Sequence, residues 1–325
     1  MGAKKNLFGV KILFSVITKI SQRFRMRKKI FIAGCGGMLG EAFYFQFKDE
    51  YEVKCVDIDV NTSWLSYLDF RDLETYRNSV KSFNPDYLFH LGAYTDLEYC
   101  EKNVNDTYIT NTIGVENAVY IANELDIPVL YISTAGIFDG KKTLYDDWDT
   151  PNPLGVYARS KYMGERFVCE NAKRFVVCRA GWMMGGGPKK DKKFIQKIMK
   201  QLKDGKQELF IVNDKDGTPT YTHDFAKNVK VLIQKEYWGL YNMVCGGQTS
   251  RLEVAEELLK ILGQEKDIKI NIVTSEYFKN TYFAERPPCE CLINKKLQLR
   301  EINNMGDWRA SLKEYINNYY NDYLK

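Results

Sequence analysis

Histidine is nearly absent from this chain: His90 and His223 are the only two among 325 residues. Eight cysteines lie scattered with no Cys-x-x-Cys pair, so no ligand set for zinc can be assembled and no metal is expected. Those cysteines do not form a disulfide framework either. A chain this long, with 45% hydrophobic residues, buries an ordinary core without one, and reduced thiols of a cytoplasmic protein are the expectation. Internal repeats and long linkers are also missing. Nor is the body of the chain basic. Residues 1–29 hold nine Lys or Arg and no acid, which leaves 38 of the 47 basic residues against all 42 acidic ones beyond them. The net +5 therefore hides a body of about −4, and nucleic-acid binding is not expected.

No apolar run is long enough to span a bilayer, since Lys11 and Lys19 interrupt the N-terminal candidate. Val10, Leu13, Phe14, Ile17 and Phe24 nevertheless recur at helical spacing among basic residues, the pattern of a helix lying on an anionic membrane surface. The competing reading starts at Met26, where MRKKIFIAGCGG begins as a cytosolic nucleotide-binding domain does. Residues 1–25 are then an extension or a mis-called start. Both readings stand at this stage.

From Lys28 short apolar runs alternate with helical stretches. Strands are expected at 29–34, 51–59, 86–93, 128–134 and 174–181, with helices at 38–47, 71–83 and around 111–126. Such alternation predicts an α/β fold, a Rossmann-type doubly wound parallel sheet covered on both faces. Beyond residue 185 the character changes. GGGPKKDKKF reads as a solvated basic loop and VNDKDGTPT as turns; an amphipathic stretch at 251–263, a strand at 268–273 and a terminal helix follow. The expected organisation is a basic extension (1–27), a dinucleotide-binding domain (28–184, with a return near 224–246) and a smaller substrate-binding lobe (185–223 and 247–325).

The turn after the first strand reads GCGGMLG. Leu39 breaks a G-x-G-x-x-G pattern, but Gly34, Gly37 and Gly40 fit G-x-x-G-x-x-G between a strand and a helix. Glycines there permit a tight turn and close backbone approach to a pyrophosphate at the helix N-terminus. Asp57 ends the second strand, where a carboxylate meets ribose hydroxyls and repels a 2′-phosphate, so NADH is favoured over NADPH. The carboxyl ends of the third and fourth strands, HLGAYTD and STAG, open on the same edge. Tyr157 and Lys161 then stand four apart in VYARSKYMGE, one face of a helix. Alone this pair means little: with 22 tyrosines, about two such pairs arise by chance.

Together these parts resemble the extended short-chain dehydrogenase/reductases. GGMLG, PDYLFHLGAYTDLEYCE, STAGIFDG, YARSKYMGE, RAGWMMGGG, DGTPTYTHDFA and ERPP follow the order seen in dTDP-4-dehydrorhamnose reductases. The resemblance implies a catalytic set of Thr134, Tyr157 and Lys161, with Asn111 supporting the proton relay. It adds Met38, Leu39, Asp69, Gly92 and Ala93 to the cofactor contacts. Tyr94, Trp182, Phe194, Thr220 and Arg286 fall on the sugar-nucleotide side. The implied chemistry is reduction of a sugar's 4-keto group by NADH or NADPH. Tyr157 gives the proton, its pKa drawn toward neutrality by Lys161 and the oxidised nicotinamide, and Thr134 polarises the carbonyl.

One departure matters. These reductases carry Asp-Tyr after the threonine, whereas this chain has Ala135-Gly136. The Asp-Glu pair of sugar 4,6-dehydratases is missing too, which argues against dehydration and leaves the particular sugar open. An epimerase or dehydrogenase on the same scaffold is a second expectation. A non-catalytic subunit resembling the regulatory subunit of methionine adenosyltransferase is a third. Some related reductases are dimers, so a homodimer is an expectation from resemblance alone.

Overall fold

The computed structural model describes residues 27–324. The surface helix expected over residues 1–25 lies outside them. The first half alternates β1 (Lys29–Ala33), α1 (Met38–Phe47), β2 (Glu52–Asp57), β3 (Leu65–Tyr67), α2 (Leu73–Phe83) and β4 (Tyr87–His90). Next come α3 (Leu97–Lys102), α4 (Val104–Tyr108), a π-helical turn (Ile109–Ile113), α5 (Gly114–Glu124), β5 (Val129–Thr134), α6 (Val156–Asn171) and β6 (Phe175–Ala180). These strands, joined by β11 below, form one seven-stranded parallel sheet in the order β11-β6-β5-β4-β1-β2-β3.

β4 is buried along its whole length, and β1, β5 and β6 nearly so. That follows from runs such as KIFIA and VLYIST, which are apolar on both faces because helices cover both. Phe43, Phe47 and Phe225 pack one face; Tyr76, Val115, Val119 and Val168 pack the other. Strand order reverses between β1 and β4, the switch point at which ligands bind in open α/β sheets.

The second half is more broken: β7 (Trp182–Met184), α7 (Gly187–Lys190), α8 (Phe194–Lys203), β8 (Glu208–Val212), β9 (Asp216–Gly217), β10 (Pro219–Tyr221) and α9 (Thr222–Gln234). β11 (Gly239–Asn242) returns to the main sheet beside β6. β12 (Thr249–Ser250), α10 (Arg251–Leu262), β13 (Lys269–Val273), β14 (Cys289–Glu290), α11 (Lys295–Leu299) and α12 (Trp308–Tyr319) complete the chain. Here β8 pairs with β13, β7 with β10, and β9 with both β12 and β14. All eight cysteines are free. Among the described residues no helix is long and apolar enough to cross a membrane, and no acidic, histidine or cysteine cluster could hold a metal.

Two expectations need correction. The stretch GGGPKKDKKF is only in part a solvated loop, with Lys189 and Lys192 exposed. It folds as α7 and the entry to α8, and the Lys190 side chain is only 7% exposed, with Glu41 3.9 Å away. The helix expected around 111–126 starts earlier and carries a π-helical turn at its head, a distortion common at functional sites.

Candidate active site

The carboxyl ends of β1, β2, β4 and β5 face the second lobe across a cleft of about 1460 Å³. An ordinary small-ligand pocket measures roughly 300–1,000 Å³, so this one has room for a dinucleotide and a second ligand.

On the sheet side, Gly34 adopts φ +77°, and a Cβ there would lie 2.1 Å from the Gly92 nitrogen. Only glycine fits. Gly37 caps α1 without a side-chain hydrogen bond, so the helix's first N–H groups are left to other partners. Gly34, Gly37, Met38 and Leu39 line the cleft together with Asp57, Asp69, Gly92 and Ala93. Gly40 does not. A Cβ on it would lie 1.9 Å from the Cys35 carbonyl oxygen, so it serves the packing of α1 onto the turn. The Asp57 carboxylate accepts from Gly36 N–H at 2.8 Å and Asp59 N–H at 2.9 Å, bracing that turn. Asp69 pairs with Arg71, which holds its carboxyl below the usual range. Arg71 also reaches the Tyr94 hydroxyl and Asp106.

Thr134 ends β5, and its hydroxyl accepts from Gly136 N–H at 3.2 Å. Tyr157 and Lys161 occupy the first two turns of α6, and all three line the cleft. The start of that helix is held from outside, because Val156 N–H donates to Glu101 at 2.7 Å. Lys161 is 4% exposed, with its ammonium 4.2 Å from the centre of the Tyr131 ring. Burial pushes it down to about 7, with Glu165 acting the other way. Burial also pushes the Tyr157 phenol up, with the neighbouring Thr134 hydroxyl acting the other way. The expected pull of Tyr157 toward neutrality is therefore not supplied by the polypeptide.

Asn111 lies fully buried in the π-helical turn, behind the cleft wall. Its amide brackets Tyr94, accepting from Tyr94 N–H at 2.8 Å and donating to Tyr94 C=O at 3.0 Å. It also donates to Ser160, which donates to the Tyr157 carbonyl. The residue expected to support the proton relay thus reaches the site through Tyr94 and the first turns of α6.

Tyr94 lines the cleft from the loop after β4, and Trp182, Phe194 and Arg286 line it from across. Thr220 does not: it is fully buried in β10, where its hydroxyl accepts from Gly181 N–H at 2.9 Å. Its assignment as a substrate contact is corrected to a backbone brace. Arg286 pairs with Glu98 at 2.8 Å. Sequence reasoning missed Arg251, whose guanidinium lies 3.6 Å from the Trp182 ring centre and 4.8 Å from that of Phe194. Burial brings it down to about 10. Glu290, also missed, accepts from Trp182 Nε1–H at 2.6 Å. The one available signal was Arg251 heading an amphipathic helix; Glu290 gave none.

A glycine-turned parallel sheet with a tyrosine–lysine pair at its carboxyl edge defines the class: a dinucleotide-binding α/β oxidoreductase. The family profile described as RmlD substrate binding domain matches residues 27–321. The chain belongs to that family, the dTDP-4-dehydrorhamnose reductase family. It is 30% identical over 290 residues to the spore coat polysaccharide biosynthesis protein SpsK of Bacillus subtilis, covering 89% of this chain and 96% of that one. A dTDP-4-dehydrorhamnose reductase structure from Clostridium acetobutylicum superposes with a TM-score of 0.81 at 30% identity, over 89% of this chain and 98% of the other. Another from Bacillus anthracis, in complex with NADP, gives 0.82 at 26% identity, over 90% and 100%.

Proposed function

We propose that this chain is an NAD(P)H-dependent reductase of a keto-sugar nucleotide, acting on the 4-keto group of a nucleotide-linked 6-deoxy sugar. The observation that carries this reading is the convergence of Thr134, Tyr157 and Lys161 on one cleft, between the glycine turn and the Trp182–Arg251 shelf.

The residues fit a nicotinamide dinucleotide. The side-chain-free contact of Gly34 with Gly92 leaves backbone where a pyrophosphate needs it, and the N-terminus of α1 favours the negative charge. When bound, the cofactor supplies hydride to the carbonyl carbon. Everything else falls to the protein. Thr134 donates a hydrogen bond to the carbonyl oxygen, and Tyr157 gives that oxygen its proton. Lys161, in its ammonium form, stabilises the phenolate left behind. Asp57 lines the cleft at the end of β2, and a carboxylate at that strand end supports NADH as the preferred cofactor, since it would repel a 2′-phosphate.

The test is absorbance at the nicotinamide band during incubation of purified protein with NADH or NADPH and a panel of 4-keto-6-deoxy sugar nucleotides. Loss of absorbance with at least one sugar, faster with NADH, is expected. No loss with any sugar would reject the reading.

A further inference from the structure

Gly136 follows the catalytic-site threonine with no side chain, and another element fills the room. A Cβ built on Gly136 would stand 3.1 Å from Glu290 Oε1 and 3.5 Å from Thr134 Oγ1. The end of the Glu290 side chain and the Thr134 hydroxyl thus approach the same small volume, from β14 on one side and β5 on the other. Glu290 is fixed there through its other oxygen, Oε2, by Trp182 Nε1–H at 2.6 Å. Trp182 is held in turn by Arg251 on its face. Thr134, Gly136, Tyr157, Trp182, Arg251 and Glu290 all line the one cleft. Among the described residues, no donor meets Oε1.

We propose that Glu290 is a specificity-determining residue of this site: it accepts a hydrogen bond from a hydroxyl or ammonium on the sugar carbon beside the reduced ketone. The inference rests on the keto-sugar nucleotide reading above and names what that sugar must carry. Oε1 is open to the cleft and meets no donor from the described residues, so once a ligand displaces the water there it needs a donor in its place. A ligand donor beside the ketone meets that need, and a charge-assisted hydrogen bond is roughly twice as strong as a neutral one. The same carboxylate repels a sugar acid. Any side chain at position 136 would displace the carboxylate, which ties the glycine to the glutamate.

Binding separates this proposal from the reaction itself. Calorimetric titration would use three non-reacting nucleoside-diphosphate 6-deoxyhexoses that carry a hydroxyl, an ammonium or only hydrogen at the carbon next to C4. The wild-type chain is expected to bind one of the two donor-bearing sugars at least tenfold more tightly than the deoxy sugar. Which of the two wins identifies the donor. Glu290→Gln keeps the acceptor for Trp182 but removes the charge, and Gly136→Ala pushes the carboxylate aside. Each should erase most of the preference, read as the ratio of donor-bearing to deoxy affinity, and leave the melting temperature unchanged. Wild type and variants binding all three sugars with the same relative affinities would overturn the role of Glu290 while leaving the reductase reading intact. A wild-type chain that binds none of them would overturn both.

Discussion

Tyr157 presents a protonated phenol, the form a proton donor needs before the reaction, and burial raises its pKa rather than lowering it. The sequence puts Tyr157 and Lys161 on one helix face, and the structure adds how deeply both are set. Spacing shows that Lys161 shares a helix face with it; spacing does not show that Lys161 is itself buried over Tyr131 and drawn down to about 7. The polypeptide thus keeps the donor loaded, and relief of the phenolate falls to the ammonium form of Lys161 and to the bound cofactor. Tyr157→Phe should lower kcat by about 10²–10⁴-fold, the usual worth of a positioned general acid. NADH affinity, read by fluorescence titration, should stay within a factor of a few. Full activity in that variant would remove Tyr157 from the chemistry. Arg251 and Glu290 were illegible for a different reason: both reach the cleft from elements distant in sequence, joined only by the tertiary fold.

At the scale of elements, what was legible follows from local chemistry. KIFIA is buried wherever it lies in the sheet, and MLGEAFYFQF forms the expected helix from Met38 to Phe47. RLEVAEELLKIL was read as amphipathic, and its start is set by a capping box: Ser250 accepts from Glu253 N–H at 3.1 Å, and Glu253 accepts from Ser250 N–H at 2.8 Å. Since that helix begins with Arg251, its cap also fixes the Trp182 shelf. Ser250→Ala should cost about 1 kcal/mol in urea denaturation. It should also weaken sugar-nucleotide binding more than NADH binding. Unchanged stability would show that the box contributes nothing. The two-residue strands β9, β12 and β14 could not be read in advance, because Asp216 and Gly217 are extended only through pairing with Thr249, Ser250, Cys289 and Glu290.

Taken as a whole, the molecule carries a built-in acid limit. His90 is 1% exposed against the Phe70 ring, and burial, aided by Lys161, brings it down to about 3 from its ordinary 6.5. The unfolded chain binds the proton that the folded chain refuses, so stability is complete above pH 6.5 and falls as pH drops toward 3. Between pH 7 and pH 5 this one residue should cost about 2 kcal/mol. His90→Phe should remove that increment from the urea-midpoint difference between the two pH values. An identical difference in the variant would assign acid sensitivity elsewhere. His223, bonded to Tyr319, is the only other histidine.

The outermost strand of the main sheet, β11, has a consequence for how the protein is made. Ribosomes deliver the chain in order, so β6 emerges with one edge unpaired and keeps it until residues 239–242 follow. In that interval the nascent sheet offers exposed N–H and C=O groups to any neighbouring extended segment. Completion of the main sheet is therefore timed by synthesis of much of the chain that follows β6. Cutting the gene after β6 would yield not a smaller enzyme but an open edge.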